Sequence, residues 1–177
     1  MILHGPSTDL RPLHPGSAYA ELAVMTAPLS FWGGVDRRSG VIIDVHHPQH
    51  GVALAGKILV MRAGRGSSSG SSVLAEVLRN GRGPAGIVLA EADLIISLGV
   101  LVAAELYGLR CPTVVVSDAA YARLDHGVLA RLHAEAVGDS LTADRARLDI
   151  QAPPEVAAAT DRSEKFIPRQ TGRINSA

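Results

Sequence analysis

Apolar residues along this chain fall into short runs parted by glycine, proline and serine, and the runs change character from strand-like to helix-like. Residues 19–27 (Tyr-Ala-Glu-Leu-Ala-Val-Met-Thr-Ala) predict a strand closed by Pro28 and the turn-prone Gly33-Gly34 pair. Residues 41–45 are β-branched and bounded by Gly40 and the His47-Pro48 step, which predicts a second strand. Residues 57–61 predict a third; they lead into a Gly/Ser-rich run, 64–72, and then a segment of helical character over 73–79. Gly81 and Gly83-Pro84 stop that helix, because glycine adopts the left-handed turn after a helix and proline cannot continue it. A buried strand follows at 87–89, then a sheet-packed helix over 94–106 in which Gly99 is the weak point. Residues 113–116, after Cys111-Pro112, form the clearest β-branched run. Residues 121–136 read as an amphipathic helix interrupted at Gly127, and from Pro153 the polar, proline-punctuated chain predicts an extended or disordered tail.

Strands alternating with helices over 177 residues describe one α/β domain with loose ends. Aromatic residues make up only 3% of the chain against 47% hydrophobic, so the core is built from Ala, Val, Leu and Ile. Seventeen basic residues balance seventeen acidic ones, which removes any general attraction for nucleic acid or an anionic membrane surface. The longest apolar stretch, 94–104, is interrupted by Ser97 and Gly99 and falls short of the roughly 20 residues that span a bilayer. The first ten residues lack the charged and apolar regions of a secretory signal, and a cytoplasmic location is expected. With one cysteine, Cys111, the chain forms no internal disulfide and does not by itself hold zinc or an iron–sulfur cluster, so such a metal has to come from a partner.

The chemistry concentrates in Gly64-Arg65-Gly66-Ser67-Ser68-Ser69-Gly70-Ser71-Ser72, between a strand and a helix. A junction of this kind aims backbone amides and the positive end of the helix dipole at one spot, which suits an anion or a developing oxyanion. The competing reading is a serine-capped turn that only starts the helix. Spacing rejects several familiar loops. No lysine is present for a Walker-type phosphate loop, and Ser69 stands where a dinucleotide fingerprint needs its third glycine. Elsewhere, His46, His47 and His50 form a small cluster that reads as turn and hydrogen-bonding residues rather than a metal site. Trp32 is expected in the core, Asp36 and Asp44 in turns bonded to backbone amides, and Cys111 as an inert core thiol.

Taken together, the segments Pro28-Leu29-Ser30-Phe31-Trp32-Gly33-Gly34-Val35-Asp36, Gly40-Val41-Ile42-Ile43-Asp44 with His47-Pro48 and Gly51, Gly56-Lys57-Ile58-Leu59 and the serine loop running on into Val73-Leu74-Ala75-Glu76 resemble, in order and spacing, the swivel domain of the aconitase X family. Pro84-Ala85-Gly86-Ile87-Val88-Leu89, Glu105-Leu106-Tyr107-Gly108 and Cys111-Pro112 extend the resemblance to about Val116. It implies a swivelling β/β/α fold, with residues 1–17 as an arm, 18–152 as the domain and 153–177 as a polar tail. It also implies the separately encoded small subunit of a heteromeric hydro-lyase whose large subunit binds an iron–sulfur cluster through its own cysteines. The Phe31-Trp32 form of the first motif is similar to bacterial members that dehydrate cis-3-hydroxy-L-proline to Δ1-pyrroline-2-carboxylate, and less so to archaeal members that dehydrate phosphomevalonate.

By the same resemblance, Ser67, the first serine after Arg-Gly, is the catalytic base that takes the proton beside the substrate carboxylate while iron polarises the departing hydroxyl. A serine alkoxide is costly, so such a base needs amide donors and positive charge around it. Gly66, Ser68 and Ser69 are placed to supply the polar surroundings, and Arg65 to supply the charge or to bind the substrate carboxylate. Another hydroxy acid remains open as substrate. Two other classes are a swivelling phosphocarrier, disfavoured because the loop has no histidine, and a non-enzymatic assembly module.

Overall fold

The computed structural model describes residues 2–4, 10–135 and 146–150, the first three by backbone alone. The strands are β1 (Ile2–His4), β2 (Leu10–His14), β3 (Gly16–Val24), β4 (Ile58–Met61), β5 (Gly86–Leu89), β6 (Thr113–Val116), β7 (Leu129–Ala134) and β8 (Ala146–Ile150), and the helices are α1 (Gly70–Arg79), α2 (Leu94–Tyr107) and the single turn α3 (Asp118–Tyr121). Hydrogen bonding runs in the order β1-β8-β7-β3-β4-β5-β6-β2. The long strand β3 joins two sheets. Its first part pairs antiparallel with β7, and its last three residues, Leu22 to Val24, pair parallel with β4. Parallel pairing continues through β5 and β6, and β2 closes that edge antiparallel.

Alternation within β4, β5 and β6 produces three layers. Ile58, Val60, Val88, Val114 and Val116 face Ala130, Leu132, Ala134 and Leu148 of the other sheet. Leu59, Met61, Ile87 and Leu89 face Leu74, Val77, Ile96 and Val100 of α1 and α2. A strand buried on both faces reads as an unbroken apolar run, which is why 57–61, 87–89 and 113–116 were recognisable. The result is the mixed β/β/α fold expected. Leu10–His14, within the segment set apart as an arm, is the edge strand on β6. The tail from residue 153 lies outside the described residues.

Three expectations fail. The helix expected over 121–136 is not found: among its described residues only Tyr121, the end of α3, is helical. The chain turns after α3, the Gly127 amide donates to the Leu22 carbonyl while the Leu22 amide donates to the Val128 carbonyl, and β7 runs antiparallel to β3. Leu, Ala and Arg favour helix locally, but Ala130, Leu132 and Ala134 alternate inward against outward Leu129, Arg131 and His133, and sheet pairing overrides propensity. Residues 41–45 form only isolated bridges, Val35 with Ile42 and Val41 with Ala53, because Ile43 and Asp44 both donate to the Gly34 carbonyl and bend the chain away from any ladder. Trp32 is outside: it is 58% exposed, while its neighbour Phe31 fills the core.

Helix α1 begins at Gly70, three residues before the expected start, so the end of the serine run forms its first turn. That turn lies against α2 at close range. A Cβ on Gly99 would approach the Ser71 carbonyl oxygen to 2.8 Å and the Leu74 side chain to 3.0 Å, so the glycine that weakens α2 locally is what lets the helices meet. Cys111 is 2% exposed, and burial pushes its thiol up to about 12. The native protein at pH 8 is therefore expected to resist a disulfide thiol reagent and to react only on unfolding; prompt native labelling would contradict this packing.

Candidate functional site

The Gly/Ser run leaves the sheet at the end of β4 and is fixed at both ends before it reaches α1. At its start, Gly64 bridges to Leu29, and the amide of Arg65 donates to the Leu29 carbonyl at 3.1 Å. The amide of Gly64 donates to Asp93 Oδ2 at 2.8 Å. Asp93 is also the N-cap of α2, its Oδ1 accepting from the amides of Ile95 and Ile96 at 2.8 and 3.0 Å. One carboxylate thus ties the loop to the start of the neighbouring helix. Sequence reading missed it, although an aspartate directly before an apolar run is a recognisable helix-start signal.

At the other end, Gly70 donates to the Ser67 carbonyl at 2.8 Å and Ser71 to the Ser68 carbonyl at 3.1 Å. The Ser71 hydroxyl donates to that same Ser68 carbonyl at 2.8 Å. Ser69 occupies the N-cap position of α1 without a side-chain capping bond. Ser67 and Ser68 are exposed at the tip. The Ser67 hydroxyl accepts a hydrogen bond from the Ser69 amide at 3.2 Å, which holds its oxygen at the helix N-terminus. The amides of Gly66, Ser67 and Ser68 have no acceptor among the described residues. Gly66 sits at φ +97°, and a Cβ there would come within 2.6 Å of the Ser30 hydroxyl, so only glycine lets the loop turn against the 28–32 segment.

Arg65 is fastened rather than free. Its Nε donates to the Pro28 carbonyl at 2.9 Å, and Nη2 pairs with Asp44 Oδ2 at 2.6 Å. Asp44 does accept from a turn amide, that of His46 at 2.9 Å, as its type suggested. Its second oxygen takes the arginine, a contact 21 residues away in sequence that no local pattern announces. Asp36 behaves as expected: it accepts from the Ser39 hydroxyl and from the amides of Ser39 and Arg38, and these bonds, the hydroxyl's first, hold its carboxyl below the ordinary range.

The histidines are separated by role. His47 is buried, its Nδ1 accepting from the Gln49 amide at 3.1 Å, so Nε2 carries the proton and donates to the Ala27 carbonyl at 3.2 Å. Both ring nitrogens are committed, which counts against a phosphohistidine at this position. His46 and His50 are exposed. No group of three or more His, Cys, Asp or Glu among the described residues is arranged to hold a metal. The donor set of this chain does not fit an iron–sulfur cluster, since its lone cysteine is buried and its thiol is held protonated.

The family model for the aconitase X swivel domain matches residues 7–138. The chain belongs to the aconitase X swivel-domain family. Its fold agrees with aconitase X of Thermococcus kodakaraensis in a crystal structure of the holo-form, with a TM-score of 0.69 and 30% identity over 86% of this chain and 99% of that one. It is 44% identical over 158 residues to cis-3-hydroxy-L-proline dehydratase of Pseudomonas aeruginosa, covering 85% of this chain and 25% of that protein. It is also 40% identical over 95 residues to the phosphomevalonate dehydratase small subunit of Methanothermobacter thermautotrophicus, covering 54% of this chain and 72% of that subunit. This swivel domain thus spans about a quarter of the length of the Pseudomonas relative. No helix among its described residues is long and apolar enough to cross a membrane.

Proposed function

We propose that this chain is the small subunit of a cytoplasmic, heteromeric aconitase X type hydro-lyase that dehydrates cis-3-hydroxy-L-proline, with Ser67 as its catalytic base. The observation that carries the reading is the exposed Ser67 hydroxyl held at the α1 N-terminus beside unengaged amides, in a chain of this family. Removal of the proton on the carbon bearing the carboxylate, with departure of the adjacent hydroxyl as water, leaves an enamine that tautomerises to Δ1-pyrroline-2-carboxylate. The helix N-terminus and the amides of Gly66, Ser67 and Ser68 stabilise the alkoxide form of Ser67 or the substrate carboxylate beside it. Arg65, held by Asp44 and Pro28, presents its guanidinium donors at a fixed place, its charge balanced by Asp44. The residues of this chain cannot ligate the iron–sulfur cluster, so cluster and hydroxyl departure both belong to a large subunit.

Phosphomevalonate is the second reading, favoured by the match to separately encoded small subunits. Against it, the loop carries a single cation, Arg65, already paired with Asp44, whereas a phosphate monoester calls for several. The test is turnover of both substrates by this chain co-expressed with its large subunit. Conversion of cis-3-hydroxy-L-proline that disappears when the small chain is omitted is expected. Preference for phosphomevalonate would replace the substrate, and turnover of neither would sink the reading.

A further inference from the structure

Four large apolar side chains at or next to residues that support the serine loop are exposed. Trp32 is 58% exposed, Ile43 45%, Val45 72% and Leu94 86%. Each is one step from a contact that shapes the loop. Ser30, which touches Gly66, donates its hydroxyl to the Trp32 carbonyl at 2.9 Å. Ile43 and Val45 flank Asp44, the partner of Arg65. Leu94 follows Asp93, which binds the Gly64 amide. Trp32 and Ile43 also line one depression with Val73 of the first turns of α1, with Asp36 and Arg37 on its wall. From Leu94, the half-exposed Leu98 and Leu101 continue the apolar surface along one face of α2.

Other exposed rings are treated differently. Tyr19 lies beneath the Arg131 guanidinium at 5.1 Å and Tyr107 beneath that of Arg79 at 5.3 Å. Among the described residues no cation covers Trp32. Isolated exposed apolar residues are ordinary on a protein surface, but a collar gathered around a functional loop marks an interaction face.

We infer that the collar of Trp32, Ile43, Val45 and Leu94, extended along α2 by Leu98 and Leu101, is the surface on which the large subunit closes over the serine loop. The inference rests on the heteromeric reading above and names where the two chains meet. The occupant follows from that reading and from extent. This chain spans a quarter of the Pseudomonas relative, so the polypeptide holding the rest of the site has to approach Ser67, and the collar is what it meets first. The Arg65–Asp44 pair leaves the middle of this face without net charge, so the matching face is apolar and uncharged at its centre. Closure there would strip water from the loop and strengthen its hydrogen bonds to an anionic substrate.

Trp32 is the only tryptophan of the chain, which makes the test direct. The small chain labelled with 5-fluorotryptophan gives one fluorine resonance, to be followed as unlabelled large subunit is added. A shifted, broadened resonance is expected on binding. Trp32→Ala is expected to weaken assembly by roughly 30-fold, and Leu94→Ser in the same direction, with unchanged melting of the isolated small chain. Turnover should recover when the large subunit is raised to saturation, because these residues dock and do not react. A complex that forms with the fluorine resonance unmoved and both variants binding as wild type would overturn the surface and leave the heteromeric reading standing. No complex at all would overturn that reading, and this surface with it.

Discussion

Replacing Ser67 by alanine in the assembled enzyme is expected to lower kcat by about 10²–10⁴-fold, the range for losing a positioned general base. Assembly and melting temperature should stay within error. Ser67 is exposed, and its hydroxyl accepts one bond, from the Ser69 amide. Removing it exposes that amide to water and opens no cavity, so the stability cost belongs to the ordinary surface class, within about 0.5 kcal/mol. A large kinetic effect with a negligible structural one separates a base from a capping serine. The neighbours supply the internal control. Ser69 makes no side-chain cap, and Ser68 serves through its carbonyl, which alanine keeps. Ser68→Ala and Ser69→Ala should therefore cost far less turnover than Ser67→Ala. Equal effects at all three positions would mean that the loop acts only as a cradle, and unchanged turnover for Ser67→Ala in a correctly assembled complex would remove the base.

What was legible in the chain follows from how local each feature is. Strands buried on both faces announce themselves as apolar runs, so β4, β5 and β6 and the helix between the last two were visible without a structure. The serine loop was visible for a similar reason, since a glycine and serine run between a strand and a helix stands out as a turn, whether it binds an anion or only starts the helix. Residues 129–134 were not, because small inward alanines carry a faint period-2 signal against strong helix propensity. Trp32 and Phe31 show the limit more sharply. Two adjacent aromatics cannot be ranked by hydrophobicity alone, and only the path of the 28–35 segment decides which one turns inward. The loop's supports, Asp44 on Arg65 and Asp93 on Gly64, join segments 21 and 29 residues apart, so they exist only once the layers are packed. Sequence therefore located the loop but not what holds it still.

That holding depends on the irregular segment between β3 and β4, and Gly40→Ala is expected to be the most damaging single-methyl change in it. Gly40 lies at φ +70°, and a Cβ there would fall on the carbonyl oxygen of Arg82, in the turn after α1. The left-handed backbone costs a residue with a Cβ about 1–2 kcal/mol. Overpacking against immovable backbone adds about 1–3 kcal/mol. A loss of roughly 3 kcal/mol, about 10 °C in melting temperature for a domain of this size, is the expected result. The Gly40 carbonyl accepts the Leu54 amide and its own amide donates to Asp36, so the displacement spreads through the turn that carries Ile43, Asp44 and Val45. Arg65 then loses its fixed partner, and turnover should fall together with stability. Gly51→Ala isolates the cause. Gly51 has φ +84° but open space where its Cβ would stand, so it pays the backbone term without the collision. Thermal melts of the two variants should differ by the collision alone. Equal losses would show that the turn at Arg82 yields, and that this segment is held against α1 less rigidly than its contacts imply.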